Sequence, residues 1–133
     1  MIHCRIVTPE GVYREFETPI LNIETEEGQR GILPNHMPLV TMLKIGVLSC
    51  DIEGVRKYFA IAGGLLSFRD NVAEIITDAV ESQEEINKER AKEAIERANK
   101  RLQQVGENPN VDQRRAEIAL KKALNRLHVS EIK

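Results

Sequence analysis

A chain of 133 residues, 41% hydrophobic and 30% charged, has room for one ordinary core or for a small core with an appendage. Tryptophan is absent and aromatics reach only 4%, which argues against a surface built to stack nucleic-acid bases. The net charge of −2 is divided unevenly: residues 1–80 carry 7 basic against 11 acidic side chains, and residues 81–133 carry 12 against 10.

The first eighty residues read as short strands separated by turn signals. Ile2–Thr8 alternates and ends at Pro9-Glu10-Gly11. Val12–Phe16 and Thr18–Thr25 follow, the second ending at Glu26-Glu27-Gly28. The run Gly31–Val40, GILPNHMPLV, is too rich in glycine and proline for a helix. Pro34 and Pro38 lack backbone donors and bias Leu33 and Met37 toward extended conformations. The run therefore predicts an ordered, irregular connection, too apolar to lie free in water and so docked on its own domain or on a partner. Next come Gly46–Ile52, a tight turn at Glu53-Gly54, and Val55–Ala62. Gly63-Gly64 implies a bulge or close backbone approach. Leu65–Phe68, a turn at Arg69-Asp70-Asn71 and Val72–Val80 complete a predicted β-sandwich or barrel.

At Ser82 the period changes. Ser82 with Glu85 matches a capping box. Ala91, Ile95, Ala98, Leu102 and Val105 then form one apolar helical stripe, stopped at Gly106-Glu107-Asn108-Pro109. Asn110 is the expected N-cap of a second helix with the stripe Ala116, Ala119, Leu120, Ala123 and Leu127. Two antiparallel helices of about twenty residues are predicted. Their stripes are mostly alanine, and each alanine buries little area, at about 25 cal/mol per Å². The expected architecture is α+β and two-part: a β-sandwich over 1–82, then a marginally anchored two-helix hairpin over 83–133.

Catalysis finds little support. His3, His36 and His128 lie far apart without a nucleophile or paired carboxylate at a recognisable spacing, and no GxxxxGK loop is present. His36 reads as a hydrogen-bonding residue. Cys4 and Cys50 form no CxxC and sit near no histidine at metal spacing, so no metal is expected, and reduced thiols suit a cytoplasmic protein. No signal-peptide core follows Met1 and no apolar run could span a bilayer, so membrane association is expected only through other proteins. The basic second helix, with Arg114, Arg115, Lys121, Lys122 and Arg126, suits an acidic patch on a protein partner better than DNA.

The GILPNHMPLV run, Ala62-Gly63-Gly64-Leu65 and the closing Ala119–Leu127 segment together resemble the epsilon subunit of bacterial F-type rotary ATP synthases, in order and over essentially the whole chain. The resemblance implies a non-catalytic rotor subunit, clamped between the gamma subunit and the polar loops of the c-ring, at the cytoplasmic face of the bacterial cell membrane. It assigns Glu27, Gln29, Arg30, His36 and Met37 to that junction, with Gln29 standing where the family often has a glutamate. It also implies a mobile hairpin whose extended form blocks ATP hydrolysis through contacts of Arg114, Arg115, Lys121, Lys122 and Arg126 with the alpha/beta catalytic head.

Ile86–Ala91 is similar to the family's ATP-binding motif, I/L-D-x-x-R-A. No cofactor is required, and ATP is implied as a regulatory ligand with Glu81, Ile86, Asn87, Arg90, Ala91, Arg97, Lys122 and Arg126 as the candidate site. Guanidinium groups give forked, charge-assisted bonds to phosphate. Asn87 replaces the motif's aspartate and Lys122 replaces an arginine of some relatives. If each loses about 1 kcal/mol, affinity falls roughly thirtyfold. The alternative is a stand-alone ATP-sensing protein with no rotary partner; a β-sandwich enzyme is the more remote option.

Overall fold

Alternation builds the first element. In the computed structural model, which describes residues 1–133, β1 (Ile2–Thr8) buries Ile2, Cys4 and Ile6. β2 (Gly11–Thr18) returns antiparallel to it, and β3 (Leu21–Thr25) pairs with β4 (Gly28–Ile32). β5 (Leu39–Ile52), β6 (Val55–Arg69), β7 (Val72–Ile76) and β8 (Val80–Ser82) complete the set. The hydrogen-bonded path runs β2-β1-β7-β6-β5-β3-β4, with β8 also on β6 and β1 parallel to β7.

The two long strands serve both layers of the sandwich. Leu39–Leu43 of β5 pairs with Gly64–Phe68 of β6 beside β7, whereas Ile45–Ile52 pairs with Val55–Ala62 beside β8. Phe59, Phe68, Leu21, Ile32, Leu48, Leu66 and Ile75 fill the interior. Phe16 stacks on Phe59 at 6.0 Å and Tyr13 meets the same ring edge-on at 6.4 Å.

Gly63-Gly64 makes the predicted close approach. Both adopt positive φ, +80° and +122°, and a Cβ on Gly64 would lie 2.0 Å from the Ile76 carbonyl oxygen. The pair does not end the strand, however. β6 keeps one register with β5 on either side, so the expected break is a kink within a single strand. Glycine bends the backbone without giving up the ladder.

Other expectations shift for identifiable reasons. The strand expected over Val72–Val80 is two, because the chain turns at Thr77–Ala79 opposite the kink, with Ala62 N donating to Ala79 O at 3.1 Å. Thr18–Thr25 is interrupted at Pro19, where Thr18 Oγ1 donates to Ile20 O at 2.7 Å. β4 gave no period-two signal because only Ile32 in it is buried. The irregular connection shortens to residues 33–38, since Gly31-Ile32 closes β4 and Leu39-Val40 opens β5.

The chain divides into two compact units, Met1–Gln83 and Glu84–Lys133. In the second, α1 (Lys88–Gln103) and α2 (Gln113–Glu131) pack against each other as a hairpin. The caps differ from those expected. Asn87 accepts from Arg90 N at 3.1 Å and Asp112 accepts from Arg115 N at 3.1 Å. Ser82 instead lies in β8 and pairs with Phe59 of β6, its N–H donating to the Tyr13 hydroxyl at 3.2 Å, so strand pairing has taken the expected cap. Asn110 lies in the interhelical turn, its N–H held by the Asn108 side chain at 3.0 Å. Ala91 and Ala98 on α1, and Ala116 and Ala123 on α2, form the buried faces. No helix is long and apolar enough to cross a membrane.

Candidate functional site

Two proline donors are missing from the 33–38 loop, so it cannot satisfy itself as a regular element. His36 N donates to Leu33 O at 3.2 Å to close a turn, and His36 Nδ1 lies 2.7 Å from Met37 O. The His36 ring stands edge-on to Phe68 at 5.9 Å. His36 is thus a structural hydrogen-bonding residue, as its setting predicted. Ile32, which closes β4, is buried in the core, while Leu33 in the loop is 57% and Met37 78% exposed. Leu33 and Met37 are therefore not docked on their own domain.

Glu27, Gln29 and Arg30 occupy a different place. Glu27 sits in the β3–β4 turn, which Thr25 braces by accepting from Glu27 N at 3.1 Å and donating to Gly28 O at 2.8 Å. Gln29 and Arg30 lie on β4, the end of the sheet path, and both are exposed although they point to opposite faces. Glu27 and the 33–38 loop lie at opposite ends of β4, roughly 15 Å of strand apart. One end of this unit is therefore a polar tip and the other an apolar loop.

An apolar row that the sequence reading missed extends from β5 across the sheet. Met42 pairs with Leu65, Leu65 with Ile76, Ile76 with Val7, and Val7 with Val12. Each is on the outer face: Met42 is 59%, Val12 49% and Ile76 48% exposed. Five strands at about 4.8 Å spacing make a row of roughly 19 Å. Val40, 68% exposed, continues it toward Met37. The adjacent row neutralises itself: Arg5 bridges Glu15 at 3.3 Å and Glu74 at 3.7 Å. The sequence signal for the row is a set of apolar doublets, Ile6-Val7, Met42-Leu43, Leu65-Leu66 and Ile75-Ile76. On a strand one member of each doublet points inward and the other outward.

The helical candidates are mostly solvent-facing. Arg90 and Arg97 on α1, and Arg114, Arg115 and Lys121 on α2, are exposed; Lys122 and Arg126 are half-buried. Arg90 and Arg126 each lie about 20 Å along their helices from the interhelical turn, so the antiparallel hairpin sets them at one level. Ala91 is buried and Ile86 half-buried. Asn87 Oδ1 is already in use as the cap of α1, leaving its second lone pair and its amide N–H groups for a ligand. Glu81 belongs to the other unit, on β8, where it pairs with Ala60. The first turn of α2 holds Arg114 and Arg115, with the Asp112 carboxylate beside them as the N-cap.

The buried thiols offer no chemistry near neutrality. Burial raises both, Cys50 to about 12, with Asp51 adding to the shift. Cys4 is raised by burial and secondarily by Cys50. No group of three or more His, Cys, Asp or Glu side chains is arranged to hold a metal ion.

Comparison with known proteins matches both units. Residues 1–83 match the family model for the ATP synthase Delta/Epsilon chain beta-sandwich domain, and residues 84–131 that for its long alpha-helix domain. The ATP synthase epsilon chain of Halalkalibacterium halodurans is 39% identical over 129 residues, 97% of this chain and 96% of that one. That of Bacillus licheniformis is 40% identical, covering 97% of each. Among solved structures, a chain of the Euglena gracilis mitochondrial ATP synthase OSCP/F1/c-ring assembly superposes with a TM-score of 0.78 at 27% identity, over 93% of this chain and 78% of that one. A chain of the Tetrahymena thermophila mitochondrial ATP synthase central stalk/c-ring, 17% identical with a TM-score of 0.59, shares the fold over 97% of this chain and 92% of that one.

Proposed function

This chain belongs to the epsilon-subunit family of bacterial F-type ATP synthase, as a non-catalytic subunit of that complex, and on that premise we propose how its surfaces divide the work. The sandwich is a rotor piece that couples the c-ring to gamma during proton-driven ATP synthesis. Its apolar row, Val12 to Met42, with Val40, Met37 and Leu33, takes the gamma subunit. The polar tip at Glu27, with Gln29 and Arg30, meets the polar loops of the c-ring. The complex holds the protein peripherally at the cytoplasmic face of the cell membrane. The observation that carries this reading is the exposed five-strand apolar row, which a free-standing domain would leave against water at about 25 cal/mol per Å².

The helical unit is the regulator. Extended, it presents Arg114, Arg115, Lys121, Lys122 and Arg126 to acidic loops of the alpha/beta head and blocks hydrolysis. The exposed guanidinium groups of Arg114 and Arg115 support this, because an external acidic partner would attract them. ATP at Arg90, Arg97, Lys122 and Arg126, with Asn87, shifts the hairpin only by its differential affinity for one state; a hundredfold excess over Kd is worth about 2.7 kcal/mol.

The test is reconstitution into an ATP synthase lacking its epsilon chain. Ile76→Asp with Met42→Asp should abolish incorporation, and normal incorporation would rule out the apolar row as the gamma surface. Charge reversal at Lys121, Lys122 and Arg126 should release hydrolysis; unchanged hydrolysis would count against the inhibitory arm. Titration with ATP, against an Arg90→Ala control, decides the gating. Micromolar binding lost in the control supports it, and no binding below several millimolar removes it. Binding ATP without joining the complex would favour the stand-alone sensor.

A further inference from the structure

Asn71 lies far from the 33–38 loop in sequence and holds it in space. Its Oδ1 accepts from Asn35 N at 2.6 Å, and its Nδ2 donates to Asn35 Oδ1 at 3.0 Å. The Asn71 carbonyl also accepts from His3 N at 2.8 Å, tying the same residue to β1. Asn35 needs this help. It sits at φ +68°, between a proline and the edge-on His36, in a loop whose remaining backbone bond is the local His36-to-Leu33 turn.

A comparison inside the molecule shows what Asn71 adds beyond fitting the turn it occupies. Arg69 pairs with Val72 across a two-residue connection whose central residues, Asp70 and Asn71, have φ +50° and +64°. Ile52 pairs with Val55 across the same kind of connection, through Glu53 at +51° and Gly54 at +81°. Such turns favour glycine at the second central position, and the β5–β6 turn has it. The β6–β7 turn instead carries a residue that tolerates the left-handed region less well than glycine does. Its side chain does two things glycine cannot: it accepts from the Asn35 backbone and donates to the Asn35 side chain.

We propose that Asn71 is a positioning residue for the partner contact of the 33–38 loop. Acting through Asn35, it fixes the backbone from which Leu33 and Met37 project into solvent, so that both apolar side chains are preorganised before docking. This rests on the rotor reading above. A loop ordered in advance binds without the cost of being ordered at the interface.

The test compares full-length wild type, Asn71→Gly and Asn71→Asp. Glycine keeps the turn and removes both bonds; aspartate keeps the acceptor for Asn35 N and loses the donor. The readouts are thermal unfolding, hydrogen exchange at the Asn35 amide, and affinity for ATP synthase depleted of its epsilon chain. Asn71→Gly is expected to unfold no more easily than wild type, exchange Asn35 at least about tenfold faster and bind about tenfold more weakly, with Asn71→Asp between the two. Unchanged Asn35 exchange in Asn71→Gly would overturn the proposal. So would faster exchange with undiminished affinity, because the clasp would then be purely structural. A wild-type chain that fails to join the depleted enzyme overturns the rotor reading, and is recognised before any substitution is made.

Discussion

The sandwich and the helical hairpin bury their apolar residues by different means. In the first, Phe59, Phe68, Leu48, Leu66 and Ile75 are at most 1% exposed, and every strand of the path contributes through hydrogen-bonded neighbours. In the second, the buried faces are Ala91, Ala98, Ala116 and Ala123 with Val129, and each helix satisfies its own backbone. A buried phenylalanine removes several times the apolar area that an alanine does. The first unit is thus held by long-range strand pairing around large side chains, and the second by two self-satisfied helices meeting over small ones.

The largest effect expected to test that contrast is in the core. Phe59→Ala should cost about 3–5 kcal/mol in urea unfolding, because it removes a ring shared by Phe16 and Tyr13. Ala123→Gly in the hairpin should cost only about 1 kcal/mol, most of it helix propensity. Equal losses would break the comparison.

Gly64→Ala comes next, at about 3 kcal/mol, because a Cβ would meet the Ile76 backbone at a φ of +122°. The same substitution at Gly106, where a Cβ meets nothing within 4 Å, should cost less than half as much despite its φ of +90°. Comparable unfolding midpoints for the two variants would mean the kink is not closely packed.

The thiols give a pH-dependent signature confined to the sandwich, absent at neutral pH. Below the ordinary value of 9.0 both states keep Cys50 protonated and its contribution is fully present. Between 9.0 and about 12 the unfolded chain releases that proton while the folded chain retains it, so stability falls as pH rises. The slope is about 1.4 kcal/mol per pH unit for each such thiol, and Cys50→Ala should remove its share. An unchanged alkaline slope in that variant would show that the thiol is not protected by burial.

The smallest effect is expected from removing the hairpin altogether. A chain ending at Gln83 should keep its β circular-dichroism signal and lose less than about 1 kcal/mol of stability. The cut belongs after Gln83 because Ser82 pairs with Phe59, and Gln83 N donates to Tyr58 O at 2.9 Å. A larger loss would mean the sandwich depends on the hairpin.

Much of the architecture was legible because it depends on local periodicity. β1, both tight hairpin turns and the two alanine-striped helices follow from alternation, Gly-containing or Asp-Asn turns, and a spacing of three and four. β4 was not legible, since an edge strand exposed on both faces carries no alternation. The expected caps failed because Ser82 and Asn110 have suitable side chains, yet strand pairing claimed one and an Asn108-braced turn the other. Among the candidate residues, those of the loop and of the basic helix could be named from composition and resemblance, and Glu81 falls in the other unit from the rest of its group.

The sequence by itself determined a strand-rich first unit, a helical second unit, the apolar character of the 33–38 loop and the basic character of α2. These are properties of residue type and spacing along one chain. Only the tertiary structure decided that Val12, Val7, Ile76, Leu65 and Met42 form one row, and that Asn71 clasps Asn35. Both depend on which strands lie beside which and in what register, and register is set by long-range pairing that no local window contains.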